Sequence, residues 1–176
     1  MDEPLAPDHA RLYELLGALN VALDAGNLQL SHERLDLFWA GVAVHIRAEH
    51  LHLFPTILRA LREKGGSSPS LAEAQQAIEE LRHDHDFFMR ELAHAIAILR
   101  NLKAATEESA IVLELKQVFE RISVVAARLV SHNRLEEDQV YRWVSGLLSE
   151  AEQTRLAADL RHELAHMPPR FSAAQR

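Results

Sequence analysis

The chain has 176 residues, 48% hydrophobic and 26% charged, enough for one compact domain with a sizeable core; six Gly, six Pro and 6% aromatics disfavour strand-rich folds. A formal charge of -7, with no block of Lys and Arg, argues against a general nucleic-acid surface, because phosphate binding needs clustered cations. With no cysteine, disulfides, thiolate metal sites and Cys nucleophiles are excluded, so any metal must be held by His and carboxylate.

Leu, Ala, Glu, Arg and Gln supply strong helix formers throughout, and the reading is all-α. The start, MDEPLAPDHA, lacks the basic and apolar regions of a signal peptide, and no 18-residue apolar run follows, which gives the expectation of a soluble, cytoplasmic protein. A first helix is predicted over about 8–25, starting at Asp8 after Pro7 and stopped by Gly26 and Asn27. A second runs from Ser31, a candidate cap, to Lys64, with a kink expected just before Pro55. The stretch GGSSPS is the clearest linker. A third helix is predicted from Ser70, with Glu73 completing a capping box, to Lys103. A fourth spans about 107–148, and a shorter fifth is capped by Ser149 and Glu152 and ends at Pro168 and Pro169.

The helical seams carry the chemistry. Helix one places His9, Leu12, Leu16, Leu19 and Leu23 on one face, and helix three places Leu71, Ala74, Ile78, Leu81, His85, Phe88, Leu92, Ala95 and Leu99. Each apolar stripe is interrupted by a single histidine. In helix two the seam is Leu35, Phe38, Val42, His45, Glu49, His52 and Thr56; in helix four it is Leu115, Val118, Ile122, Val125, Leu129, His132, Glu136, Gln139 and Trp143. HIRAE at 45–49 and HNRLE at 132–136 thus share one spacing, and the chain reads as two similar helix pairs forming an antiparallel up-and-down four-helix bundle.

A buried, unpaired carboxylate costs several kcal/mol or neutralises itself, and no seam Arg or Lys lies beside Glu49 or Glu136. Four imidazoles and two carboxylates suit cations such as iron, manganese or zinc, and a two-metal centre is inferred. If both glutamates bridge, each metal receives two carboxylate oxygens and two imidazole nitrogens. An oxide or hydroxide bridge then leaves about one position per metal for a small ligand.

With a lone His on helix one, HxxxE followed by Leu53-Phe54-Pro55 on helix two, a lone His on helix three and HxxxEE ending in Glu137 on helix four, the chain resembles the hemerythrin-like (HHE cation-binding) family. The resemblance covers roughly residues 5 to 150. It implies a bundle domain over 1–150, followed by a C-terminal helix and tail over 151–176. It also implies two iron ions, oxo- or hydroxo-bridged, with Mn or Zn as substitutes, held by His9, His45, Glu49, His85, His132 and Glu136. Oxygen-carrying hemerythrins have a second His four residues after that of helix three, where this chain has Met89, so one metal lacks a nitrogen expected of a carrier. The position after Glu49, often acidic in such proteins, is His50.

His52 reads as lining the site, while His32, His50, His83 and His94 fall off the seams and read as surface residues. Asp8 and Asp84 precede ligand histidines, but an exposed Asp is the commoner fate. HELAH at 162–166 fits HExxH, yet only ten residues follow, with no third ligand, so it reads as a surface His pair rather than a metalloprotease. The function expected is a di-iron protein that binds or responds to O2, peroxide, NO or iron, by sensing, scavenging or carriage. Its partner is a small diatomic or peroxide ligand, not a nucleic acid or a membrane. The alternatives are a di-iron oxidase or peroxidase-type enzyme and a helical interaction module.

Overall fold

The computed structural model describes residues 5–65, 69–102 and 108–168. Helix α1 spans Ala6–Asp24, with Pro7 in its first turn, where a missing N–H costs nothing. It therefore begins before Asp8, the expected start, and leaves that aspartate inside the first turn and buried. Gly26, at φ 63°, takes the left-handed turn that ends it. Helix α2 spans Leu28–Ala48 and is capped by Asn27, whose side-chain oxygen accepts from the Leu30 N–H at 3.0 Å. Ser31, the expected cap, is buried one turn inside.

A π turn, Glu49–Leu53, links α2 to α3, Phe54–Lys64. Helix α4 spans Leu71–Leu102, and its start carries the expected box: Glu73 N–H donates to Ser70 Oγ at 3.2 Å and Ser70 N–H to Glu73 Oε2 at 2.7 Å. Helix α5 spans Glu108–Leu135, a second π turn spans Glu136–Val140, and α6 spans Tyr141–Leu147. The predicted boundaries at Lys103 and Glu107 lie outside the described residues, as does Pro169. Helix α7, Glu150–Leu164, begins with the Ser149/Glu152 capping box and ends short of Pro168.

In place of the simple kink expected before Pro55, the chain widens, and the Phe54 N–H bonds back to the Glu49 carbonyl. The Tyr141 N–H does the same to Glu136, with no proline nearby, so proline is not the common cause. Both π turns begin at the glutamate of HxxxE. Each inserts one residue and shifts the seam by one position. After Glu49 the buried residues are Leu53, Phe54 and Ile57 instead of His52 and Thr56; after Glu136 they are Val140, Tyr141 and Val144 instead of Gln139 and Trp143.

Helix α1 packs on α2, α2 on α4, α4 on α5, and α5 on α1, closing a four-helix ring. Two apolar clusters fill it. One holds Leu12 to Leu23 of α1, Leu35 to Val42 of α2, Phe88 to Leu102 of α4 and Val118 to Leu129 of α5. The other holds Leu5, Leu53 to Leu61, Ala74 to Leu81, Val140 to Leu148, and Leu156 and Leu160 of α7. Burying one such Leu, Ile or Phe contributes about 1.5–3 kcal/mol, and these clusters supply the fold's driving force. Every bundle helix crosses from one cluster to the other, in alternating direction, through a layer of His and Glu. Helix α7 also seals the second cluster through polar ties, with Lys64 2.8 Å from Glu152 and Arg47 paired with Glu163. Among the described residues no helix is long and apolar enough to cross a membrane, and no strand occurs.

Candidate metal centre

The layer between the clusters is built from the six sequence-predicted residues. His9 (2% exposed), His45 (4%), His85 (2%), His132 (2%), Glu49 (0%) and Glu136 (0%) all converge there. Glu49 lies between the halves, with Oε1 3.6 Å from His45 Nε2 and Oε2 3.1 Å from His85 Nε2. Glu136 mirrors it, with Oε1 3.4 Å from His132 Nε2 and Oε2 3.1 Å from His9 Nε2. Each carboxylate therefore offers one oxygen to either half. Two groups of atoms close enough to share an ion result: Glu49, His85, His132 and Glu136, and His9, His45 and Glu136.

All four imidazoles turn Nε2 inward and give Nδ1 to a fixed partner. His45 Nδ1 is 2.8 Å from Asp8 Oδ2, and His132 Nδ1 is 3.2 Å from Asp84 Oδ2. His9 Nδ1 is 2.9 Å from Glu137 Oε1, and His85 Nδ1 is 2.9 Å from His50 Nε2. The aspartates are in turn held by Arg11 at 2.7 Å and Arg128 at 2.6 Å. Outer partners of this kind fix ring orientation and tautomer and strengthen the inward nitrogen as a donor.

The charges of the metal-free layer follow from burial and mutual contact. Burial, with the adjacent Glu136 charge, pushes Glu49 well above the usual carboxylate range. Burial acts on Glu136 in the same direction, but contact with Glu49, His132 and His9 outweighs it and holds Glu136 well below that range. Burial also drives His85 down to about 2, helped by the His132 charge. His132 rises to about 9 despite burial, because Glu136 and Asp84 favour its cation. Protons on Glu49 and His132 thus stand where cations would offset the carboxylates.

Even so, the layer is not internally satisfied. Buried and without a hydrogen-bond partner are Glu49 Oε1 and Oε2, Glu136 Oε1 and His45 Nε2. Native interiors leave few such atoms, and four within one buried layer form a donor set of imidazole nitrogen and carboxylate oxygen that fits first-row metal ions. Phe88 closes one wall, edge-on to His132 at 5.3 Å, and Phe54 stacks on His85 at 6.1 Å. Tyr141 stacks on His9 at 5.9 Å, and its hydroxyl lies 3.1 Å from His9 Nε2 and 3.4 Å from Glu136 Oε2.

Several sequence expectations need correction. Asp8 and Asp84 are buried, 6% and 8% exposed, and grip ligand-position imidazoles instead of lying on the surface. The signal was present in the repeated Asp-His dipeptide. His50 was expected on the surface and is half-buried against His85 and Phe54. Glu137 entered the sequence reading only as the end of HxxxEE, with no partner assigned, and Tyr141 not at all; Tyr141 faces the layer only because of the π turn. His52 sits beside Glu163 at 3.6 Å rather than in the layer. His83 and His94 are exposed, and His32 is half-buried. In HELAH, Glu163 pairs with Arg47, and His166 Nδ1 donates to the His162 carbonyl at 2.6 Å, so the motif anchors α7.

Comparison with curated proteins and with solved structures gives no match. A family model does match: the Hemerythrin HHE cation binding domain, over residues 1–144, which takes in all four bundle helices and the whole polar layer. On that match the chain is a helical protein of metal-binding type, and it belongs to the hemerythrin HHE cation-binding domain family.

Proposed function

We propose that the layer holds two metal ions, with iron preferred, and that the protein binds or responds to O2, peroxide, NO or iron itself. The observation that carries this reading is the set of inward-facing, unpartnered atoms of Glu49, Glu136 and His45 in a fully buried layer. His9 and His45 would serve one ion and His85 and His132 the other, with Glu49 and Glu136 shared, since each offers an oxygen to both sides. Bound iron would supply one-electron redox chemistry and an open position for a small ligand.

The chain's own part is to orient and to exclude. Asp8, Asp84, Glu137 and His50 hold the rings, and their loss would relax the geometry on which affinity depends. Phe54 and Phe88 lie against His85 and His132, and buried Leu81 and Leu129 belong to the apolar clusters on either side, so the layer is set in apolar surface that limits water. The oxidase or peroxidase reading is favoured by one specific feature: the Tyr141 hydroxyl puts a proton donor beside His9 and Glu136. Metal analysis with an absorption spectrum tests the first reading. Peroxide consumption by the iron-loaded protein and by Tyr141→Phe tests the second, which fails if the parent shows no turnover.

A further inference from the structure

The two halves of the layer are related by a pseudo-two-fold that extends beyond the six central residues. Asp8 on α1 holds His45 on α2 as Asp84 on α4 holds His132 on α5, and each aspartate leans on an arginine. Each lone imidazole is held across the bundle by the residue that follows the HxxxE glutamate of the opposite half. That residue is Glu137 for His9 and His50 for His85, at 2.9 Å in both cases. Five residues after each glutamate comes the ring that stacks on the same imidazole, Tyr141 on His9 and Phe54 on His85.

The symmetry breaks in chemistry at these outer positions, and the break at the Nδ1 partners favours the His9/His45 side. When Nε2 of a lone His takes a cation, its proton sits on Nδ1 and must be accepted from outside. Glu137 accepts with an anion, whereas His50 accepts with a neutral ring nitrogen. The equal distances leave charge type as the difference. Among the described residues, the outer carboxylates in hydrogen-bond contact with the rings are Asp8 and Glu137 at the His9/His45 position and Asp84 at the His85/His132 position. The shared glutamates present one oxygen to each side at 3.1–3.6 Å; both gather with His85 and His132 and only Glu136 with His9 and His45, a difference of a few tenths of an ångström that a bound ion can draw in, so the outer charges are left to set the order.

We propose that the two metal positions are inequivalent, the His9/His45 position filling first and more tightly, with Glu137 and His50 as the positioning residues that set the order. This rests on the reading of the layer as a two-metal centre. Changing an outer partner typically alters metal affinity by about 10–100-fold, and the lower end applies here because the Glu137 side chain is 39% exposed and its charge partly screened.

The test is an anaerobic Co(II) titration of the full chain, followed by calorimetry and visible absorption, for the parent, Glu137→Gln and His50→Glu. Both positions are partly exposed, and a carboxylate at 50 would meet one charge of either sign, Arg82 and Asp86, so both variants should fold; far-ultraviolet circular dichroism checks this. The parent should bind in two steps about tenfold or more apart. Glu137→Gln should weaken the tighter step and His50→Glu should tighten the weaker one, each drawing the steps together. Steps that either variant drives further apart would mean the first ion enters the His85/His132 position, and steps that neither variant moves would mean the outer partners do not set the order; either result overturns the proposal. A parent that binds fewer than two Co(II) overturns the two-metal reading itself, a separate outcome from equal and immovable steps.

Discussion

Glu49→Gln separates the two states of the layer. Glu49 is 0% exposed, and burial beside the Glu136 charge pushes it well above the usual carboxylate range, which favours its neutral form in the metal-free protein. A neutral amide of the same shape should therefore change metal-free stability by no more than about 1 kcal/mol, the range of a single hydrogen bond gained or lost. The metal-bound state differs, because an amide cannot replace a carboxylate that serves both ions. At a free metal concentration a thousandfold above Kd, binding to the native state stabilises the parent by about 4.1 kcal/mol. For a chain of this length that is a rise of about 8–16 °C in Tm. A variant weakened about a hundredfold keeps about 1.4 kcal/mol, a rise of about 3–6 °C. Differential scanning fluorimetry of both proteins, with chelator and with Fe(II) under argon, measures all four values. The reasoning is refuted if Glu49→Gln keeps the parent's metal-induced shift, or if its metal-free form loses several kcal/mol, which would mean that Glu49 is ionised and paired without metal.

Glu136→Ala and Glu49→Ala should lose metal more completely than His9→Ala or His85→Ala, because a shared carboxylate serves two ions and a terminal imidazole one; equal losses in plasma-emission metal analysis would contradict sharing. Asp8→Asn and Asp84→Asn, which keep shape but remove the anion behind His45 and His132, should each weaken metal binding by about 10–100-fold in chelator competition, with the helical signal unchanged. Loading should also release protons. His132, raised to about 9, holds its proton at neutral pH in the metal-free state, and burial shifts Glu49 in the same direction, so affinity should climb as pH rises through neutrality toward about 9. Calorimetry in buffers of different ionisation enthalpy reads this, and a buffer-independent heat would contradict it.

The seams of α1 and α4 were legible from the sequence because these helices are uninterrupted, so a 3.6-residue period holds from Leu12 to Leu23 and from Ala74 to Leu99. All six central residues lie on or before the last regular turn of their seams and were found for the same reason. Beyond Glu49 and Glu136 the reading failed by one residue, since a π turn leaves no mark in hydrophobic periodicity until the chain is known to widen. This is why Tyr141 was missed, Phe54 was read as part of a motif with no place against His85, and His52 was placed too near. Asp8, Asp84, Glu137 and His50 were named but given no hold on the rings for another reason: each contacts a ring on a different helix, and even the repeated Asp-His dipeptide does not say which ring its aspartate reaches. The capping boxes of α4 and α7 were readable because both of their members lie within four residues.

The central claim is that the buried layer is a two-metal, iron-preferring centre. It is tested most directly by elemental analysis and ultraviolet–visible absorption of the full chain, purified without chelator or affinity-column metal and then loaded anaerobically with Fe(II) and exposed to air. The account predicts about two iron ions per chain, with near-ultraviolet absorption of a bridged ferric pair. A stoichiometry near zero after loading would contradict it.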